Sequence, residues 1–290
     1  MPNPSKTKRM PRIPVQLTEI EFDEFILDQL PKRTCGPQYK LSRYKMFNYV
    51  VKFVYMGCQW KMLPIDKDET GRPEIHYTQI FRTYQSWLQC GAIINIFENS
   101  VIVLHEKGRL DTSIIHGDGS LTTAKKGGDC LGFSGRKHMK GEKVVVFCDR
   151  HCNVLSPMMI PPANRHEGPL FGGAFVFLKD IFKRMGRSLK GSVMSLDSAY
   201  DSGKNRKKTF NAWMIPNIKE NPRNRKSPKR GRKRFYVKEI YEERFRTIER
   251  VFAWEDKFKR LLLRFERISH HHFGFKLLAY TMINLRHFCR

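Results

Sequence analysis

A chain of 290 residues with 40% hydrophobic and 12% aromatic residues can bury one large or two modest cores, which argues against a disordered protein. Its 54 Lys and Arg outnumber its 28 Asp and Glu, and the formal net charge of +26 predicts a polyanionic partner, nucleic acid ahead of a membrane surface. No apolar run approaches the roughly 20 residues that cross a bilayer, and no secretory signal opens the chain. We therefore expect a cytosolic protein.

The first 110 residues are predicted to be helical. Residues 1–16 form a Pro-containing basic arm, which we interpret as flexible and able to touch phosphates. Acidic residues in a first turn and apolar residues at helical spacing predict a capped helix from Thr18 to Leu30. Further helices are predicted over 41–55, 76–88 and 93–106. Residues 17–110 thus read as a helical module, compatible with a helix-turn-helix reader of DNA, although any small helical bundle shows this pattern.

The pattern changes after residue 110, where β-branched runs predict strands. Strands are expected over 113–115, 143–147, 154–160 and 192–196, with a helix over 170–185. This alternation predicts a mixed α/β domain over 111–290. A last helix is predicted from Val237 to Phe265, and an ideal helix there would align four charged residues within about 20° of one line: Glu242, Glu249, Asp256 and Arg260.

One segment of this domain is strongly basic. Residues 219–238 hold ten basic residues and one acidic residue, and their Pro and Gly residues interrupt any helix. Such a segment is a solvated loop by default, and in so basic a protein we interpret it as a loop that contacts phosphates.

The seven cysteines do not predict disulfides. Their number is odd and their spacing irregular, which is not typical of a disulfide framework. Cys148, His151 and Cys152 lack the paired Cys-x-x-Cys spacing of most zinc sites, so we interpret these cysteines as reduced thiols packed between strands.

The stretch from Thr112 to Gly128 holds a single carboxylate, Asp118, in an apolar and then glycine-rich setting. An ionised carboxylate is costly to bury alone, so Asp118 is expected to face a metal ion or a basic group. The neighbouring glycines allow the backbone to approach a bulky charged ligand.

Two further carboxylates can share such a cation. Phosphodiester chemistry is served by two divalent ions about 4 Å apart, and Mg²⁺ prefers carboxylate oxygens. Asp118 follows the first predicted strand, Asp197 ends a later strand, and Glu249 lies on the helix after the basic loop. Taken singly, each has an ordinary alternative as a turn cap, a loop-entry residue or a member of a surface ion-pair row.

Several ordered blocks of the chain resemble bacterial insertion-sequence transposases of the DDE class. HGDGSLTTAKKGG (116–128), GFSGRKHMKGEKVVVFCDRHCNVLSP (132–157) and PPANRHEG (161–168) are similar to the core of that family. SLDSAYDS (195–202) and TIERVFAWEDKFKRLLLRFER (247–267) resemble its second and third catalytic blocks. The likeness covers nearly all of residues 110–290, and residues 17–110 are similar to the family's DNA-end-binding module.

The resemblance implies a ribonuclease-H-like fold in which Asp118, Asp197 and Glu249 form the metal-binding triad, with two Mg²⁺ and Mn²⁺ as a substitute. Asp201 is the rival to Asp197, but its position before Ser202 suits a helix cap. Tyr241, Arg244, Glu249 and Lys257 approximate the family's Tyr, Arg, Glu and Lys signature. The spacing differs from the family's by one residue on each side of Glu249. Arg246, Arg250 and Arg260 are therefore alternatives for the roles of Arg244 and Lys257.

The resemblance further implies that the protein binds the terminal inverted repeats of its element in duplex DNA. It also implies metal-dependent cleavage and strand transfer, carried out by a dimer or larger assembly near the bacterial nucleoid. The residues expected on DNA are Lys125, Lys126, Arg136, Lys137, Arg223, Arg225, Lys229, Arg230, Arg232, Lys233, Arg244, Lys257 and Arg260. Two alternatives remain: a DNA-binding regulator that has lost the chemistry, and a ribonuclease-H-like nuclease that cuts without joining.

Overall fold

The computed structural model of the protein describes residues 11–32, 40–135, 137–156, 161–221 and 234–289. Its first part is helical, as predicted. Thr18 begins the first helix through a capping box in which its amide donates to Glu21 Oε2 at 2.8 Å and its hydroxyl accepts from the Glu21 amide at 3.3 Å. The helices of this region are α1 (Glu19–Phe25), α2 (Arg43–Met56), α3 (Tyr77–Gln89) and α4 (Ala92–Glu106).

A mixed sheet follows, with the order β2-β3-β1-β4-β5 and with β6 also paired to β1. Its strands are β1 (Ile114–Ala124), β2 (Gly132–Ser134), β3 (Met139–Cys148), β4 (Val193–Leu196), β5 (Ile215–Ile218) and β6 (Leu263–Arg264). β1 pairs antiparallel with β3 and parallel with β4 and β6. The mixed α/β architecture predicted from the sequence is confirmed.

Two strand predictions need correction. β1 continues to Ala124, so Asp118 lies inside the strand rather than after it. The expected strand over 154–160 is reduced to an isolated bridge between Val154 and Cys148, and residues 157–160 lie outside the described part of the chain. The Val154 amide and carbonyl face away from β3 and bond to Asn284, whose Oδ1 accepts from the amide and whose Nδ2 donates to the carbonyl.

Helices cover the sheet. α5 (Glu167–Arg184) packs on β3 through buried side chains such as Phe171 and Leu178, and α6 (Gly203–Asn211) packs beside β5. Asp197 caps the short 3-10 helix Ser198–Tyr200 by accepting from the Ala199 amide at 2.7 Å. The N-cap of α6 is Ser202, so the expectation that Asp201 caps this helix is wrong.

The predicted helix from Val237 to Phe265 is not continuous. It is divided into α7 (Lys238–Glu243), a 3-10 turn (Arg244–Arg246) and α8 (Ile248–Glu255), followed by β6. The break is at Thr247, with φ −115° and ψ −80°, where the Thr247 hydroxyl donates to the carbonyls of Glu243 and Arg244. These local bonds replace helical ones. The expected line of four charged residues therefore does not form.

The last helix, α9 (Ser269–Leu285), is buried along almost its whole length and packs against α2, α3, α4 and α8. Gly274 permits the close approach to α3, because a Cβ there would lie 2.4 Å from the Tyr84 hydroxyl oxygen. Apolar residues of the helical region and of the sheet belong to one hydrophobic core, which begins at Ile13 within the predicted basic arm.

No single described helix is long and apolar enough to cross a membrane, and α3 and α4 meet that criterion only together, as a pair bent by 68°.

Candidate active site

The structure brings Asp118 and Asp197 to neighbouring positions. His116 of β1 is in parallel register with Ser195 of β4, so the residues two positions further along each chain, Asp118 and Asp197, lie level with one another. On this edge β1 pairs with β4 at residues 114–116 and with β6 at 123–124. Asp118 therefore lies on the stretch of β1 between the residues that pair with β4 and those that pair with β6.

The electrostatic setting of Asp118 is dominated by burial. Burial raises the pKa of Asp118 to about 6, helped by the charges of Asp197 and Glu167, while Arg244 and the Gly119 amide act in the opposite direction. The Gly119 amide donates to Asp118 Oδ1 at 2.8 Å. Arg244 Nη2 lies 2.7 Å from Asp118 Oδ2 and also donates to the Gly117 carbonyl at 3.1 Å. Of the two partners expected for Asp118, the structure contains the basic group.

Glu249 is placed differently. It lies in the first turn of α8, which packs against β1 and β3, but its side chain is exposed. Among the residues that the structure describes, no three His, Cys, Asp or Glu side chains lie together closely enough to hold a metal ion. The structure thus brings together the two predicted aspartates and not the third carboxylate.

A buried phenol marks the space near the aspartates. Burial, with the charges of Glu167, Asp118 and Asp197, raises the pKa of Tyr200 well above its usual value. The Tyr200 hydroxyl has no hydrogen-bond partner among the described residues. An unpaired buried hydroxyl costs about 1–3 kcal/mol, so this phenol, which senses the charges of both aspartates, is a candidate for contact with a bound group. The carboxylates of the two aspartates offer the hard oxygen atoms that suit a divalent cation.

A second set of contacts fixes the segment that carries Arg244. Arg150 donates two hydrogen bonds to the Glu243 carboxylate, from Nε to Oε1 at 2.7 Å and from Nη2 to Oε2 at 3.0 Å. Glu243 Oε1 also lies 3.5 Å from His116 Nε2. Burial lowers the pKa of His116 to about 4, so this imidazole is neutral at neutral pH. Glu243 and Arg244 therefore contact two residues on the same face of β1, His116 and Asp118.

The predicted DNA-contacting residues fall into three groups. Lys125, Lys126, Lys137 and Lys257 are exposed, as a phosphate contact requires. Seven lie outside the described part of the chain: Arg136, Arg223, Arg225, Lys229, Arg230, Arg232 and Lys233. The remaining two, Arg244 and Arg260, are bonded within the protein.

Arg260 is engaged by Glu266 and by aromatic rings. Its Nε donates to Glu266 Oε1 at 2.8 Å, and its guanidinium lies 4.9 Å from the Phe53 ring centroid and 5.2 Å from that of Phe265. With its side chain 12% exposed, Arg260 joins α2 to the segment before α9. Arg260, and likewise Arg244, whose side chain is 4% exposed, is engaged within the protein in this structure, and a DNA contact at either residue stays a prediction.

Three residues near the site had no role in the sequence interpretation: Glu167, Tyr200 and Glu243. The quoted blocks PPANRHEG and SLDSAYDS contain the first two, so a sequence signal was present. A Cβ at Gly119 would lie 3.0 Å from the Glu167 carboxyl carbon, so the glycine of HGDG makes room for this side chain beside β1.

A family model for the transposase DDE domain matches residues 105–284. The chain belongs to this transposase family. The match begins in the last turn of α4 and covers both aspartates, Glu249 and most of α9. It confirms the resemblance to DDE transposases, enzymes that cleave DNA phosphodiesters, transfer strands and generally use divalent metal ions. No curated protein sequence matches the chain.

Comparison with solved structures finds one transposase of similar fold and two weaker matches. A cryo-EM structure of the piggyBac transposase synaptic complex with hairpin DNA matches with a TM-score of 0.50 and 10% identity, over 94% of this chain and 73% of that one. The Mos1 paired-end complex with left transposon end (TM-score 0.27, 11% identity) covers 68% of this chain and 65% of its own. A crystal structure of a pre-cleavage Mos1 transpososome matches with a TM-score of 0.30 and 10% identity, over 87% of this chain and 80% of that one. The last two scores are too low to support a fold assignment. The piggyBac likeness supports the ribonuclease-H-like fold of the DDE transposase domain.

Proposed function

We propose that this DDE transposase binds the terminal inverted repeats of an insertion sequence, hydrolyses a phosphodiester at each end and joins the freed 3′-hydroxyl to target DNA. The observation that carries the proposal is the level placement of Asp118 and Asp197 on parallel strands beside the unpartnered Tyr200 hydroxyl. Membership of the DDE transposase family supplies the reaction class.

Asp118, Asp197 and Glu249 are the residues proposed to hold divalent metal, two Mg²⁺ or Mn²⁺ in its place. When bound, such ions activate the attacking oxygen and stabilise the leaving oxygen of an in-line displacement. Asp118 contributes an oxygen ligand in its ionised form, for which Arg244 is a competing partner, and Glu249 must approach from α8. The non-helical Thr247, between Arg244 and Glu249, is the natural position for this adjustment.

The proposed DNA contacts are made by exposed lysines near the ends of β1, β3 and α8: Lys125, Lys126, Lys137 and Lys257. These point charges neutralise phosphates and carry no sequence information, so base reading is assigned to the helical region 17–110. Two ends of one element are cut and joined together, so the active form is proposed to be a dimer or larger assembly. The protein then acts wherever the cell's DNA lies.

The test is cleavage of a labelled duplex that contains the DNA flanking this gene, with Mg²⁺ or Mn²⁺. Asp118→Asn, Asp197→Asn and Glu249→Gln change one carboxylate each with little change in shape. Asn is as good a cap as Asp, so Asp197→Asn keeps the turn at Ser198. Glu239→Gln, on the exposed face of α7, is the matched control. The proposal is supported if the parent and the control nick the duplex at a fixed position with metal and the three variants do not. Full cleavage by all three variants contradicts it.

One observation favours a second candidate, the DNA-binding regulator without chemistry. Arg244 occupies the Asp118 carboxylate while Glu249 remains exposed and apart from the aspartates. A protein held permanently in that arrangement would bind its repeats and not cut them. Specific binding without cleavage under either metal is the result that selects it. A nuclease that cuts without joining is separated by looking for joined products on a target plasmid.

A further inference from the structure

An exposed aromatic surface lies at the start of the edge strand β5, at the end of the parallel strands opposite to the aspartates. Trp213 and Phe210 are 73% and 72% exposed, and Ile215, the first residue of the edge strand β5, is 39% exposed. We call these three residues the Trp213 patch. Large apolar side chains this exposed and this close in sequence mark an interaction surface.

The backbone of Trp213 is unusual for its residue type. It has φ +60°, the left-handed conformation that follows a helix end and favours glycine. Trp213 completes that helix end, because its amide donates to the Phe210 carbonyl and the Met214 amide donates to Thr209. Neither burial nor backbone preference accounts for an indole here. An indole so exposed is available for contact with another molecule.

The surroundings of the patch are basic. Residues 181–196 and 202–219, which flank it, contain nine Lys and Arg residues and no acidic residue: Lys183, Arg184, Arg187, Lys190, Lys204, Arg206, Lys207, Lys208 and Lys219. Lys190 Nζ lies 5.8 Å from the centroid of the Trp213 ring. Arg184 and Arg206 are paired with Glu98 and Asp201, but Lys183, Arg187, Lys190, Lys204 and Lys207 are exposed. A second copy of so basic a surface would be repelled, whereas a polyanion would be attracted.

We propose that the Trp213 patch is a second DNA-binding site, at which the indole stacks on an unpaired base while the flanking lysines and arginines hold phosphates. Exposed aromatic rings within a basic groove bind single-stranded nucleic acid in this way. The inference rests on the proposed function only in taking DNA as the polyanion.

The position of the patch separates it from the cleavage site. Ile215 pairs with Val193 at the start of the parallel strands, whereas Asp197 follows Leu196 at their other end. Four residues of extended chain place the patch about 13 Å from the aspartates along the strand direction. The DNA held there is a segment other than the phosphodiester being cut.

The experiment uses the intrinsic fluorescence of the full chain. Trp213 is the exposed one of its four tryptophans, since Trp87 and Trp254 are buried and Trp60 is half-buried. The full chain is titrated with a single-stranded oligodeoxynucleotide and with an abasic strand of equal length. The bases, and not the abasic backbone, are expected to quench Trp213 and shield it from acrylamide.

Trp213→Gly removes the indole and suits the positive φ, so the variant is expected to be at least as stable as the parent. It should bind the oligonucleotide about tenfold more weakly, the loss of one stacked base. Trp213→Tyr should recover most of that affinity, and Ile20→Ala, an exposed apolar side chain on α1, should match the parent.

Equal quenching by both strands, or unchanged affinity in Trp213→Gly, overturns the proposal. A second copy of the chain would cover the patch if, without DNA, Trp213 became more shielded from acrylamide as protein concentration rises and Trp213→Gly abolished a dimer. That result also overturns the proposal. Cleavage of the flanking duplex by Trp213→Gly is measured in parallel. Retained cleavage with no base-dependent quenching rejects this inference alone and leaves the proposed function standing.

Discussion

Arg244 Nη2 lies 2.7 Å from Asp118 Oδ2, and both side chains are largely buried. The carboxylate that the proposed reaction assigns to metal thus already has a cationic partner from its own chain. Opposite charges in a poorly solvated site attract strongly, so any ion that binds Asp118 must compete with this guanidinium.

Replacing Arg244 should therefore strengthen metal binding in the absence of DNA. Arg244→Gln is expected to bind Mn²⁺ about tenfold more tightly than the parent, a gain of about 1.4 kcal/mol. The titration is followed by the electron paramagnetic resonance of free Mn²⁺, at a series of pH values above 6 so that ionised Asp118 is compared in both proteins. Arg246→Gln, an exposed arginine two residues away, should behave as the parent. Equal or weaker binding by Arg244→Gln would show that the guanidinium does not compete.

Asp118 should also make stability depend on pH. Burial raises its pKa from 3.8 to about 6, so the folded state holds the proton more tightly than the unfolded state. The resulting stabilisation is complete below pH 3.8 and is lost as pH rises through 6. Asp118→Asn cannot titrate. Between pH 4 and pH 6 the parent should lose about 2 kcal/mol of unfolding free energy relative to Asp118→Asn. Urea denaturation at stepped pH measures this difference, and parallel profiles would contradict it.

Tyr200→Phe should separate activity from stability. The unpartnered hydroxyl contributes nothing to the described fold, so its removal should leave the melting temperature unchanged or higher. If the hydroxyl contacts a group bound between the aspartates, cleavage should fall by about tenfold, the loss of one hydrogen bond. Tyr280→Phe is the matched control, because the Tyr280 hydroxyl donates to Glu255 at 2.5 Å. It should lower stability and leave the cleavage rate per folded molecule unchanged, whereas equal effects of the two variants would remove Tyr200 from the site.

The Arg260–Glu266 pair should act on stability. Burial tends to raise the pKa of Glu266, but His272 and Arg260 outweigh it and lower the pKa to about 2. The stabilisation is therefore present above pH 4.5 and lost as pH falls through 2. Glu266→Gln at pH 7 should cost about 3 kcal/mol.

Arg260→Gln should cost a similar amount, and the double variant should show coupling in a double-mutant cycle. Lys257→Gln, an exposed side chain three residues before Arg260, should weaken DNA binding without loss of stability. Additive costs for Arg260 and Glu266, measured by urea denaturation, would show that the two residues act separately.

The helices of the first region were predictable because each has apolar residues at helical spacing, and α1, α2 and α3 also have side-chain caps. Ser42 and Gly57 bracket α2, and the amide of Lys45 donates to the Ser42 hydroxyl. α9 was missed for the opposite reason, since a helix buried on nearly all sides shows no apolar stripe. The short strand β5, which contains Pro216, also gave no strand signal.

At the site, the sequence indicated the two aspartates because each accompanies a predicted strand and lies in a block that resembles the family. The structure adds the parallel pairing that makes them neighbours. The sequence could not indicate the Arg244 contact. Apolar spacing continues unchanged across Thr247, and no Gly or Pro marks the break, so the periodicity favoured one helix. The break depends on hydroxyl bonds from Thr247 and on Glu243 being held by Arg150, a partner 93 residues away in sequence.

The single core shared by α2, α3, α4, α9 and the sheet has a consequence for where DNA would be cut. A duplex held by the helical region is held by the same body that contains Asp118 and Asp197, and no flexible linker intervenes between them in the described chain. The number of base pairs between a recognised sequence and the scissile bond is then a fixed dimension of the protein. Sliding a recognition sequence along the duplex by one base pair should move the cut by one base pair.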